Sequence, residues 1–136
     1  TFFLAKNHFS TFKKQCGERF KLVGYYLDGK LVGFHTLLLN GTVLETYFLG
    51  YDDQIQKEKM LYLNMLYNMT KFGIENRFEK IIFGRTALEI KSSVGAKAIP
   101  MFGYIKHRNK LLNFFMKWIF NYLQPEIKWI ERHPFV

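Results

Sequence analysis

Apolar and polar positions alternate with two different periods along this chain, and the switches between them mark its elements. Phe9, Phe12 and Cys16 recur at spacings of three and four, which predicts a short helix over Ala5–Glu18 with these three on one face and Gly17 closing it. From Phe20 the pattern becomes strand-like. FKLVGYYL, KLVGFHTLLL and TVLETYFL are separated by Asp28-Gly29 and Asn40-Gly41, dipeptides that tolerate positive φ and favour two-residue hairpins. Three apolar strands joined by two tight turns predict an antiparallel meander.

Gly50 to Asp53 breaks the third strand and opens a long helix reaching about Glu75, with Asp52 or Asp53 as its cap. Met60, Leu61, Leu63, Leu66, Tyr67 and Thr70 cover a wide arc, so this helix is expected to lie buried against the sheet. A short buried strand, Lys80-Ile-Ile-Phe83, follows. Thr86 and Glu89 have the spacing of a capping box, which predicts a helix from Thr86 to Gly95. A further strand is expected over Ala98–Lys106, at an edge or bulge because of Pro100. The last helix, about Asn109–Leu123, carries Asn113, Lys117 and Asn121 on a narrow polar stripe and ends by Pro125, and Ile127–Ile130 would add one more strand. The sum is one α/β (α+β) domain over residues 1–136, a mixed, mainly antiparallel sheet flanked by helices.

Composition sharpens this picture in three ways. With 136 residues, 49% of them apolar and 18% aromatic, the chain can bury a core and is not disordered. Its one cysteine, Cys16, cannot form an internal disulfide and reads as a structural thiol; a reducing, cytoplasmic setting is expected. The net charge of +9 attracts anions, among which coenzyme A, nucleic acid, lipid headgroups and acidic glycans all qualify. No secretory leader is visible, and Leu111–Leu123 is too short an apolar stretch to span a bilayer. The chain opens at Thr1 without a methionine, so it is expected to be the C-terminal part of a longer one.

The order of elements, together with GRTALEIKSSVGA at Gly84–Ala96, resembles the GNAT acyltransferase superfamily over about Asn7–Lys106. More narrowly it is similar to the Fem-like or BioF2-like branch. There a Gly-Arg/Lys-Thr/Ser turn, a lysine one helical turn on and a Gly-Ala exit follow the strand. Gly84, Arg85, Thr86, Lys91, Gly95 and Ala96 occupy those places. The resemblance implies transfer of an acyl or aminoacyl group to an amine, from acyl-CoA as co-substrate or from aminoacyl-tRNA, with no tightly bound cofactor. It implies a donor lying where Leu44–Leu49 splays from Ile81–Phe83, its pyrophosphate on backbone amides at the start of the long helix. A second GNAT-like domain or a homodimer is the expected partner. Where the family has Arg/Gln-x-x-Gly-x-Gly/Ala, this chain has Gly50-Tyr-Asp-Asp-Gln54, with one glycine and two carboxylates.

Amine acylation needs a proton acceptor for the ammonium and a donor toward the leaving group. The resemblance makes Glu45 the base, and strand alternation puts it on one face with Tyr47 and Leu49. Tyr47 and Tyr51 offer phenols near the splay. His35, mid-sheet, is a base in its neutral form or a packed sheet histidine. Gly50, Arg85, Thr86 and Lys91 are the candidate donor contacts. His8, His35, His107 and His133 lack metal-ligand spacing, so no metal is expected. The apolar last helix, flanked by Lys106-His-Arg-Asn-Lys110, is expected to dock a partner domain or second subunit rather than a membrane. The rival readings are a non-catalytic GNAT-like module for a protein or anionic ligand and, on charge alone, an RNA-binding domain.

Overall fold

The computed structural model describes residues 4–123 and 129–135. Helix α1 (His8–Cys16) passes through a single 3₁₀ turn, Gly17–Arg19, into β1 (Phe20–Leu27). The meander continues with β2 (Lys30–Asn40) and β3 (Val43–Tyr51); then come α2 (Asp53–Lys59), α3 (Leu61–Glu75), β4 (Lys80–Ile82), α4 (Leu88–Ser92) and α5 (Lys110–Leu123). The sheet order is β1-β2-β3-β4, antiparallel across the first three strands and parallel between β3 and β4. This is the mixed, mainly antiparallel sheet with flanking helices that the sequence implied.

Local chemistry explains the turns. Asp28 and Gly29 both hold positive φ, 50° and 77°, as a type I′ hairpin requires. The second hairpin sits one residue later than the dipeptide suggested. Asn40 pairs with Val43, so Gly41 (φ 58°) and Thr42 form the turn. Positive φ at the first central residue alone is the type II′ pattern.

Two helices cover opposite faces of the sheet. Phe9 of α1 packs its ring against Phe20, Phe34 and Phe48. On the other face, Leu61, Tyr62, Met65, Leu66 and Met69 of α3 form the core with Val32, Leu37 and Leu44. The close approach requires Gly73. A Cβ there would lie 2.4 and 2.8 Å from Ile81 side-chain atoms.

The expected long helix is two helices. Met60 takes a left-handed conformation (φ 50°, ψ 42°) and breaks it. The burial stripe accordingly falls on Leu61, Tyr62, Met65, Leu66 and Met69, while Met60 and Tyr67 are exposed. Asp52 does cap α2, accepting from the Gln54 and Ile55 amides.

The expected capping box at Thr86–Glu89 does not form. The helix starts at Leu88 behind a left-handed Ala87, and no side chain caps it. Glu89 instead accepts a hydrogen bond from Arg132 at 2.7 Å, while the Thr86 carbonyl accepts one from Lys91. The expected strand at Ala98–Lys106 is also absent. Those residues have no ladder partner, and Ile99, Met101, Phe102 and Tyr104 are exposed. Apolar alternation supplies a face for burial but no neighbour, and β4, only three residues long, is left as an open edge. Helix α5 forms as expected, with Asn109 capping the Leu111 and Leu112 amides, and none of its residues is buried. Pro125 and the first part of the expected Ile127–Ile130 strand lie outside the described residues; Trp129 and Ile130 are not in a strand.

One irregularity decides the geometry of the site. Between His35↔Leu49 and Leu37↔Thr46, Thr36 alone faces both Tyr47 and Phe48, so β3 carries one extra residue. The Thr36 side chain, 0% exposed, closes this bulge. Its hydroxyl accepts from the Phe48 amide at 2.8 Å and donates to the Phe48 carbonyl at 3.0 Å. Thr36→Val keeps the shape but leaves both groups unpaired, and we expect it to lower stability by about 2 kcal/mol. Urea unfolding checks this, and a loss below about 0.5 kcal/mol would assign the bulge to ring packing instead.

Candidate active site

Strands β3 and β4 pair only from Val43↔Lys80 to Glu45↔Ile82, yet β3 runs on to Tyr51. Beyond Glu45 the two chains part, and a cleft of about 520 Å³ opens between them. One wall is the far half of β3, Thr46 to Leu49 with Tyr51. The other is Phe83, Gly84, Thr86, Ala87 and α4's Ile90 and Lys91. Leu66 and Met69 of α3 line it from the core side. At the near end, the Thr46 hydroxyl donates to the Ile82 carbonyl at 3.1 Å and ties the strands together at the point of divergence.

The bulge sets which side chains line this cleft. Leu44 and Leu49 both pack into the α3 core although their numbers differ in parity, and Tyr51 meets Tyr62 of α3 with ring centroids 5.8 Å apart. Tyr47 and Phe48, the two bulged residues, both turn toward α1. Tyr47 stacks on Phe12 at 5.0 Å and Phe48 meets Phe9 at 6.1 Å. Strict alternation therefore fails, and Glu45 and Leu49 do not share a face.

Of the sequence candidates, the structure brings Tyr47, Tyr51, Thr86 and Lys91 to the cleft. Glu45 is not among the lining residues. It lies opposite Leu38 in the ladder, and its carboxylate accepts from Asn40 Nδ2 at 2.9 Å. Gly50 turns its α-carbon toward Phe34, where a Cβ would come within 2.7 Å of the ring. Arg85 lines a separate, larger surface groove along the outer edge of β4. His35 lies in the sheet and outside the cleft lining. Its Nδ1 is 2.9 Å from the Tyr25 hydroxyl, which in turn accepts from Asn68 Nδ2 at 3.1 Å. The phenol oxygen accepts from Asn68 and still either donates to Nδ1 or accepts from it, according to the ring's tautomer. Burial pushes the His35 pKa down to about 4.

Lys91 is 7% exposed, and its ammonium donates to the Gly84 and Thr86 carbonyls, both at 2.5 Å. Burial lowers its pKa from the ordinary lysine range. The lysine thus staples the cleft's outer wall to α4. Burial, together with nearby Tyr51, pushes the Tyr62 phenol up.

The amides expected to receive a donor pyrophosphate are already bonded. The Asp52 carboxylate holds those of Gln54 and Ile55, and the Gln56 side-chain oxygen accepts from the Tyr62 amide at the start of α3. One residue of interest escaped the sequence reading. His8, on α1, places Nε2 at 3.2 Å from the Tyr47 hydroxyl. Nothing in the local pattern marks it, because the contact spans 39 residues. Among the described residues there is no cluster of His, Cys, Asp and Glu able to hold a metal. No helix of theirs is long and apolar enough to cross a membrane.

No protein-family model matches the chain, and no curated protein matches it in sequence. Solved structures do match. An aminoglycoside acetyltransferase, meta-AAC0020, from an uncultured soil metagenomic sample and solved with sisomicin, is similar over 77% of this chain and 78% of its own. The TM-score is 0.54 at 16% identity. A ribosomal-protein alanine N-acetyltransferase from Escherichia coli matches 46% of this chain and 43% of its own, with a TM-score of 0.35 at 18% identity. The chain shares a GNAT-like fold, a mixed and mainly antiparallel sheet with flanking helices, with the aminoglycoside acetyltransferase.

Proposed function

We propose that this chain is an N-acyltransferase that passes an acyl group from a coenzyme A thioester to a primary amine. The observation that carries the reading is the divergence of β3 and β4 after Glu45 and Ile82, which opens the cleft beside an unpaired strand edge. An extended pantetheine arm needs such an edge, since its amides can bond to a backbone that has no ladder partner. Apolar Leu49, Leu66, Met69 and Phe83 exclude water around the thioester, and the phenols of Tyr47 and Tyr51 supply polar groups near the carbonyl. The similarity of fold to an aminoglycoside acetyltransferase supports the same class of reaction.

Asp52 and Gln56 modify the donor's reception. A pyrophosphate displaces Gln56 from the Tyr62 amide and meets the Asp52 carboxylate close by, so donor affinity is modest and depends on the chain's net positive charge. The same filled amides favour aminoacyl-tRNA as the alternative donor, in keeping with the Fem-like resemblance of Gly84–Ala96. Calorimetric titration with acetyl-CoA separates the two. We expect saturable binding with Kd on the order of 0.1 mM, weakening as salt rises. No saturation at about 1 mM acetyl-CoA would reject the coenzyme A donor. A deacylated tRNA that then binds would support the aminoacyl route, and failure of both would leave a non-catalytic module.

A further inference from the structure

Resting on the acyltransferase reading above, we propose that His8 is the terminal proton acceptor of this site, reached through the Tyr47 hydroxyl. The cleft itself is poor in bases. Among its described lining residues there is no Asp, Glu or His, and the titratable groups are Tyr47, Tyr51, Tyr62 and Lys91. Lys91 is committed to two carbonyls. Tyr51 and Tyr62 face each other, and burial opposes ionisation of Tyr62. Glu45 is held by Asn40 outside the lining. Only Tyr47 has a base behind it.

The imidazole is held for that task by its neighbours. It stacks on Tyr47 at 5.9 Å and 23° and on Phe12 at 5.9 Å and 19°, while Phe9 and Phe48 meet it edge-on at 5.2 and 5.9 Å. Of the four rings packed on it, Tyr47 is the titratable one. Lys13, further along α1, is tied to Glu18 at 3.1 Å. Strand alternation from Leu44 sends Tyr47 toward α1, and the bulge adds Phe48 on the same side, so that both rings pack on the imidazole. His8 is half-buried, so it can return a proton to solvent.

The proton path balances. An acceptor arrives as an ammonium; one proton moves to the Tyr47 oxygen as the phenol's own proton moves to His8 Nε2, giving a neutral amine and an imidazolium. The amine nitrogen attacks the thioester carbonyl, the C–N bond forms, and the C–S bond breaks with its electron pair on sulfur. The second nitrogen proton passes to the thiolate, and His8 releases its proton to water. The products are an amide, a thiol and one proton.

The test uses the whole chain, acetyl-CoA and a panel of primary amines, with thiol release followed from pH 5.5 to 8.5. For the best amine we expect kcat/KM to rise with pH across this interval. His8→Gln should lower kcat/KM about 100-fold and abolish that rise, with acetyl-CoA affinity and thermal midpoint unchanged. Tyr47→Phe should match it, and the double variant should lose no more than either alone. If His8→Gln proves unstable, His8→Asn and Tyr47→Phe carry the same comparison. Activity within threefold of the parent, or a lowered rate with the pH rise intact, overturns the relay and leaves the acyltransferase reading standing. A parent chain that neither binds acetyl-CoA nor releases thiol with any amine overturns both.

Discussion

Lys91→Met should lose about 2–3 kcal/mol of stability and about tenfold in acetyl-CoA affinity. The side chains are close in length and volume, so packing is conserved and the change isolates the ammonium. Its two bonds hold the Gly84 and Thr86 carbonyls at 2.5 Å, and both belong to the wall facing β3. Without the donor those carbonyls must turn outward to water, and the backbone between them moves with them. The adjacent Ala87 is left-handed at φ 55°, a conformation that costs an L-residue roughly 1–2 kcal/mol. The side-chain restraint on that strain is then gone, and the Lys91 amide's bond to the Ala87 carbonyl, 3.3 Å, is left to hold it. Part of the loss is offset, since the variant no longer desolvates a charge. Urea unfolding and the calorimetric titration read the two effects separately. A variant with parental stability would show that the lysine is not the staple, and parental affinity in a destabilised variant would detach the wall from donor binding.

Acidification should weaken the fold through His35 by up to about 3 kcal/mol. The imidazole's folded pKa is about 4 against an ordinary 6.5, so the native state favours the neutral ring. Its contribution is fully present above pH 6.5, declines as pH falls through that value, and is lost below about pH 4. The geometry gives the cause. The ring is 2% exposed inside the sheet, so the imidazolium loses solvation that the Tyr25 hydroxyl beside Nδ1 does not replace. Carboxylates such as Glu18, whose pKa is lowered by Lys21 and Lys13, add their own acid dependence, so the comparison needs a control. In His35→Leu the slope of stability between pH 6.5 and 4.5 should be markedly shallower than in the parent. Parallel slopes would remove His35 from the acid response.

The sequence discloses some of these features because their causes are local. A two-residue turn depends on Asp28 and Gly29 alone, and a cap on Asp52 and the amides beside it. The place of β4 and part of the buried face of α3 also follow from short apolar patterns, but β4, expected to be buried, instead lies at an open edge with Ile82 45% exposed. What stays hidden depends on partners far along the chain. Met60 breaks the long helix with no glycine or proline to announce it. Thr86 and Glu89 carry a capping signature, yet Lys91 and Arg132 compete for the same groups, and tertiary contacts prevail. The site was legible in part. Tyr47, Tyr51, Thr86 and Lys91 were candidates through the resemblance of the chain to the acyltransferases, and all four line the cleft. His8 was not among them, since its partner lies three elements away. Glu45 and Leu49 were assigned a common face by period two, and Thr36, from the neighbouring strand, cancels that period.

That cancellation makes β3 behave like a message with a deliberate frameshift. Upstream of Tyr47 the even-numbered Leu44 and Thr46 look toward α3; downstream the odd-numbered Leu49 and Tyr51 do. Substitutions within the strand each change one letter. Deleting Tyr47 or Phe48 would instead restore the regular frame and reverse every letter after it, sending Leu49 and Tyr51 toward α1 and Gly50 into the cleft. A lineage carrying this fold can therefore vary the chemistry of its cleft residue by residue, while the length of β3 between Thr46 and Leu49 stays fixed.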